Sequence, residues 1–84
     1  MTSATTAQIR ENLHAYFAQQ LPGWSDSIAD SDPLDRYGLD STEMVNLILH
    51  LEETFHIEVD DADLTFDNLG TVNGLTSFIN RKLA

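Results

Sequence analysis

The chain contains no cysteine. Disulfide frameworks, thiolate metal sites and cysteine nucleophiles are thereby excluded, and the protein has no thiol of its own. Basic residues are nearly as scarce, with four Lys and Arg against 14 Asp and Glu, a formal net charge of -10 at pH 7. Such a surface repels nucleic acid and anionic membranes and attracts basic patches on other proteins, so the expected partners are proteins. No apolar run approaches the roughly 18 residues that cross a bilayer. The first residues, Met1 to Thr6, offer neither a basic nor an apolar stretch, and the expectation is a cytoplasmic monomer.

What is present suffices for one small domain over residues 1–84, with residues 1–4 expected to be disordered. Hydrophobic residues make up 42% of the chain, enough for a compact core. Ile9, Leu13, Tyr16, Phe17 and Leu21 recur at helical spacing and predict a first helix from about Thr5 to Gln20. Leu21-Pro22-Gly23 stops it. A polar stretch from Trp24 to Asp40 then runs longer than most structureless connections in so small a domain, so parts of it should pack on the core or carry function. Trp24, Ile28, Leu34 and Leu39 are the residues expected to pin it.

The second helix, Ser41 to about Phe55, is the most apolar part of the chain. Met44, Leu47, Ile48, Leu51 and Phe55 form its core stripe, while Val45 and Leu49 widen the apolar arc toward a neighbouring helix or a partner. Asn46, His50 and Glu53 are placed on the wet side. His56-Ile57-Glu58-Val59 alternates like a strand but has none to pair with, and is read as extended loop. Leu64 to Gly70 allows one or two helical turns closed by glycine. Thr71 caps a last helix carrying Val72, Leu75, Phe78, Ile79 and Leu83, in which Gly74 costs about 1 kcal/mol relative to alanine. The fold class is all-α, a small four-helix bundle with a long first loop and a short third helix.

The chain is organised around Tyr37-Gly38-Leu39-Asp40-Ser41. Asp40 can accept from the backbone N–H of Glu43 while the Glu43 side chain reaches back, as in a capping box. Ser41 then opens the helix, over unpaired N–H groups at the positive end of its dipole, where a phosphate ester is favoured. A plain helix start satisfies the same five residues.

Other chemistries fit less well. The acids gather in one loop (Asp26, Asp30, Asp32, Asp35 and Asp40) and another (Glu58, Asp60, Asp61 and Asp63). Neither has calcium-loop spacing: after Asp30 and Asp32 the next ligand position is Leu34, and no glycine supplies the turn. A serine hydrolase would need a base beside Ser41, but His50 is about two and a half turns along the same helix. His14 or His56 could approach only through folding, and no glycine-rich oxyanion loop accompanies them. An acidic helical interaction module with an inert Ser41 stays open.

Leu34-Asp35-Arg36-Tyr37-Gly38-Leu39-Asp40-Ser41 resembles the segment around the phosphopantetheine-attachment serine of acyl and peptidyl carrier proteins. The segment from Val45 to Leu51-Glu52-Glu53-Thr54-Phe55 is similar to that family's second helix. The likeness continues through Ile57-Glu58-Val59, Asp63-Leu64 and Thr71-Val72, so it spans about Ile9 to Leu83. The resemblance implies a non-enzymatic, freestanding carrier. Ser41, flanked by Asp40, would take 4'-phosphopantetheine from coenzyme A through a phosphopantetheinyl transferase. The arm would supply the missing thiol and hold acyl or aminoacyl groups as activated thioesters. Loading ligases or transferases and downstream pathway enzymes would be the other partners. Recognition is expected through Asp40, Thr42, Glu43, Val45 and Leu49, where acids meet basic patches and the apolar pair adds contact area.

Two departures from the family pattern bear on pathway. Thr42 stands where the family more often has leucine or isoleucine, at a position that usually contacts partners. The second helix has fewer acids than housekeeping fatty-acid carriers, and the stretch from Phe55 to Val72 is longer than theirs. Both departures favour a specialised pathway, polyketide, non-ribosomal peptide or a dedicated acyl unit, with fatty-acid synthesis as the alternative.

Overall fold

The structure, a computed structural model, describes residues 5–84; the expectation of disorder at residues 1–4 lies outside them. Helix α1, Thr6–Gln20, begins at a complete capping box: the Thr5 hydroxyl accepts from Gln8 N at 3.1 Å, and the Gln8 side chain accepts from Thr5 N at 2.9 Å. Three further helices follow, α2 (Ser41–Phe55), α3 (Phe66–Leu69) and α4 (Val72–Leu83), with no strand among the described residues. None of these helices is long and apolar enough to cross a membrane.

The periodicities locate the core with one exception: Ile48, expected on the core stripe of α2, is only half-buried and stands outside the cluster. Ile9, Leu13 and Phe17 from α1, Leu47 and Leu51 from α2, and Leu75, Phe78 and Ile79 from α4 are essentially inaccessible to water. Leu69, Leu21, Leu34 and Leu39 close the cluster, and Ile57 and Val59 pack at its edge. Burial of this kind is the main favourable contribution to a small fold, at about 1.5–3 kcal/mol per large aliphatic side chain.

The long loop is ordered because its ends meet and its middle is tied down. Gly23 N donates to Tyr37 O at 3.0 Å, Leu34 N to Gly70 O at 2.8 Å, and Asn73 N of α4 to Asp30 O at 3.0 Å. The Asp30 carboxylate also accepts from Arg10 and His14 of α1. A short 3-10 turn at Leu34–Tyr37 completes the approach to α2. Trp24 packs by its ring face and edge against Phe17 and His14. Ile28 is half-buried and stands apart from the apolar cluster, so three of the four expected pins hold the loop.

Segments 56–60 and 61–63 join α2 to α3. His56 ends α2 in the left-handed region at φ 55°, and Val59 N donates to the Glu52 carboxylate at 3.0 Å, holding the extended piece along the helix. Gly70 ends α3 with an ordinary right-handed φ of -85°, so it is there for another reason than a left-handed cap: a β-carbon would strike the Phe66 ring. The basic residues at the end of α4 do more than face its dipole. Lys82 Nζ lies 2.8 Å from Asp63 Oδ2, and Arg81 Nη2 donates to Asn68 Oδ1 at 2.7 Å, which fastens the α3 segment to α4.

Candidate functional site

Gly38 has φ 112°, a conformation that side chains rarely adopt, and a β-carbon there would strike the Pro22 ring. The reversal it allows drops Leu39 into the core and leaves Asp40 extended at the N-cap. Asp40 Oδ1 accepts from Glu43 N at 2.9 Å and Asp40 O from Met44 N at 2.8 Å. Ser41 is therefore the first residue of α2, and it is exposed. The expected return bond from the Glu43 side chain is not made: its Oε1 instead faces Asn46 Nδ2 at 3.5 Å. With Asp40 already holding the Glu43 N–H, the cap is complete without it.

Around this point the structure collects the other residues expected to form a surface. Thr42 is exposed and Glu43 half-buried, while Val45 and Leu49 are 58% and 52% exposed, so both apolar side chains face outward. His50 is where expectation and structure part. Its ring is half-buried between α1 and α2, bonded through Nε2 to Asn12 Oδ1 at 2.8 Å. His14 is likewise engaged, with Asp30 at 2.8 Å.

Two concavities adjoin Ser41. A shallow groove is lined by Leu39, Asp40, Ser41 and Met44. Beyond it an apolar cavity of about 400 Å³ opens between α2 and the α3 segment, walled on one side by Met44, Val45 and Ile48 and on the other by Leu64, Phe66 and Leu69. Leu64 and Phe66 are 49% and 60% exposed and were missed as site residues. The signal was available in the sequence: they flank the N-cap Thr65 of a helix too short to bury both of them.

Comparison with known proteins supplies the family in which this geometry occurs. Residues 11–79 match the family described as "Phosphopantetheine attachment site". An acyl carrier protein of Desulforapulum autotrophicum is 37% identical over 76 residues, which cover 88% of this chain and 96% of that protein. The chain belongs to the acyl carrier protein family. The acyl carrier protein of Thermotoga maritima is 40% identical over 50 residues, 60% of this chain and 59% of that protein, so the chain spans less than two thirds of that relative. That of Bdellovibrio bacteriovorus is 33% identical over 54 residues, 64% of this chain and 67% of that protein.

Membership implies covalently attached 4'-phosphopantetheine. The geometry fits such a group: an exposed hydroxyl at a helix N-terminus, unpaired N–H groups beneath it, and an open groove leading away. The group brings the thiol on which a carried chain is activated. Proteins of this family are in general carriers rather than enzymes, and they meet phosphopantetheinyl transferases and biosynthetic enzymes.

Proposed function

We propose that Ser41 bears the phosphopantetheine arm and that the protein carries acyl or aminoacyl intermediates as thioesters for a specialised cytoplasmic biosynthetic pathway. The observation that carries this reading is the exposed Ser41 hydroxyl at the N-terminus of α2, inside the span matched by the attachment-site family. The chain's own residues divide the work. Gly38 and Asp40 set the serine at the helix start, and the N–H groups of Ser41 and Thr42, which Asp40 does not take up, would favour a phosphate there. Asp40, Thr42, Glu43, Val45 and Leu49 offer the surface that loading and downstream enzymes read. The apolar cavity shelters the carried chain from water.

Thr42, the modest acidity of α2 and the length of the Phe55–Val72 connection support a specialised pathway. Fatty-acid synthesis is the second reading, favoured by the apolar cavity and by relatives named simply acyl carrier protein. Incubation with coenzyme A and a promiscuous phosphopantetheinyl transferase, followed by intact-mass measurement, tests the assignment. The wild type gains one phosphopantetheine, and Ser41→Ala gains none while keeping its helical content. An unchanged wild-type mass with several transferases overturns it.

A further inference from the structure

Of the asparagines in the chain, Asn73 alone is followed by glycine; the others precede leucine or arginine. Asparagine before glycine is the pair most prone to deamidation, because a backbone nitrogen on a residue without a β-carbon reaches the side-chain amide unhindered. Asn73 is exposed, so water has access to that amide. A larger residue at position 74 would slow the reaction, but a β-carbon there runs into the Asp67 carbonyl. The packing of α3 on α4 therefore keeps the reactive pair in the chain.

Two hydrogen bonds hold the pair unreactive. Val72 opens α4, which makes Gly74 N one of the first N–H groups, those with no partner inside the helix. It donates instead to Thr71 Oγ1 at 2.9 Å. One residue earlier, Asn73 N donates to Asp30 O of the long loop at 3.0 Å. The attacking nitrogen thus stays protonated and is aimed at Thr71 rather than at the Asn73 side chain.

We propose that Asn73–Gly74 is a deamidation site closed by the Thr71 cap and opened when the first turn of α4 unwinds, and that isoaspartate formed there releases the loop leading to Ser41. In the opened turn Gly74 N gives its proton to hydroxide and bonds to Asn73 Cγ. The Cγ–Nδ2 bond breaks, and the nitrogen takes a proton from water and leaves as ammonia. Water then opens the succinimide ring. Breaking the bond from nitrogen to Cγ gives aspartate, and breaking the bond to the main-chain carbonyl gives isoaspartate. One water enters and one ammonia leaves, with no oxidant and no enzyme. In isoaspartate the main chain runs through the side-chain methylene and is one carbon longer. The bonds to Asp30 and Thr71, made by adjacent nitrogens, lose their helical spacing around it, and the loop loses its tie to α4. This chemistry is independent of what Ser41 carries.

The test incubates wild type, Thr71→Ala, Thr71→Ser and Asn73→Gln in mildly alkaline buffer, with wild type in urea as the open reference. Peptide mapping with electron-transfer fragmentation measures aspartate and isoaspartate at position 73. Folded wild type should convert several-fold more slowly than the chain in urea. Thr71→Ala should speed conversion roughly 2- to 30-fold, the factor equivalent to losing an N-cap. Thr71→Ser keeps the hydroxyl and should match the wild type, and Asn73→Gln should stay unconverted. Thermal melting shows whether Thr71→Ala is folded. If it is not, amide hydrogen exchange in the wild type replaces it, and the Gly74 amide should be protected. The isoaspartyl fraction, separated by anion exchange, should be cut by trypsin at Arg36, the one basic residue of the loop, several-fold faster than unconverted protein. No conversion in urea would overturn the site itself, and equal rates with and without urea would overturn its closure. No acceleration in folded Thr71→Ala, or an unprotected Gly74 amide, would overturn the role of the cap. Unchanged cleavage at Arg36 would overturn the release of the loop.

Discussion

The imidazole of His50 lies on the ring of Tyr16, with centroids 4.1 Å apart and planes inclined by 19°. The pair joins α2 to α1, and the hydrogen bonds around it define the ring's state. An amide oxygen only accepts, so Nε2 donates to Asn12 Oδ1, and Nδ1 of the neutral ring accepts from the Thr54 hydroxyl at 3.3 Å. Burial lowers the His50 pKa below 6.5, against a smaller opposing effect of Glu53. The unfolded chain therefore takes up this proton more readily than the folded one. The stability contributed by neutral His50 is complete above about pH 6.5 and is lost as pH falls through its folded-state pKa. In urea titrations the stability difference between wild type and His50→Gln should shrink from pH 8 to pH 5. A constant difference would show that the ring titrates as in the unfolded chain.

Asp30 should behave as the loop's main polar anchor. Partial burial raises its pKa, but hydrogen bonds and charges from Arg10 and His14 together outweigh that and hold it below its ordinary value. A depressed carboxylate stabilises above its unfolded pKa and loses that contribution as pH falls through the folded one. Asp30→Ala should cost about 1–3 kcal/mol near pH 6, as expected for losing hydrogen bonds to charged partners. The deficit should narrow toward pH 3. Chemical denaturation across that interval measures it, and a deficit that widens in acid would contradict the assignment.

Gly74 reverses an expectation based on helix propensity. Alanine in a helix interior is favoured over glycine by about 1 kcal/mol. Here a β-carbon would run into the Asp67 carbonyl of α3, with Thr71 Oγ1 also at 3.1 Å. Gly74→Ala is therefore expected to destabilise, by about 1–3 kcal/mol if α3 is forced off α4. A higher urea midpoint would show that α3 yields cheaply.

The core leucines of α2 provide the reference for every surface substitution on that helix. Leu47 and Leu51 are fully buried. Replacing either by alanine should cost roughly 2–5 kcal/mol, seen as a lower urea midpoint. Wild-type stability in both would mean the wrong face had been placed inward.

Most of this architecture was legible because apolar spacing and caps are local. Thr71 caps α4 by accepting from Gly74 N at 2.9 Å, and Asp40 caps α2, as their positions implied. His50 was misplaced because helical phase alone puts it with Asn46 and Glu53; a neighbouring helix supplying Asn12 and Tyr16 makes that flank partly dry. Gly74 read only as a cost, since its use depends on a carbonyl from another helix. The cavity was equally invisible, because its walls come from segments some twenty residues apart in sequence. Val45 and Leu49 could face a helix or a partner from spacing alone, and their exposure turns on how far the neighbouring helices reach around α2.

Recognition and folding should separate on this outer face of α2. Val45 and Leu49 are more than half exposed, and Glu43 sits in the first turn beside the arm-bearing end. Truncating Leu49 removes apolar area that the fold does not bury, and reversing Glu43 changes the charge a basic partner surface meets on approach. Glu43→Lys and Leu49→Ala should both leave helical content nearly unchanged by circular dichroism. Both should slow loading or transfer by the cognate enzyme. The charge reversal acts mainly on association, so its effect should fade as salt rises, exposed charges being screened beyond roughly 10 Å at 0.1 M. The leucine change acts through contact area and should be nearly independent of salt. Transfer rates at low and high salt would distinguish the two, and equal salt sensitivity would refute the division. Unfolding of Leu49→Ala would instead assign Leu49 to the core and leave Glu43 and the loop acids as the surface that partners recognise.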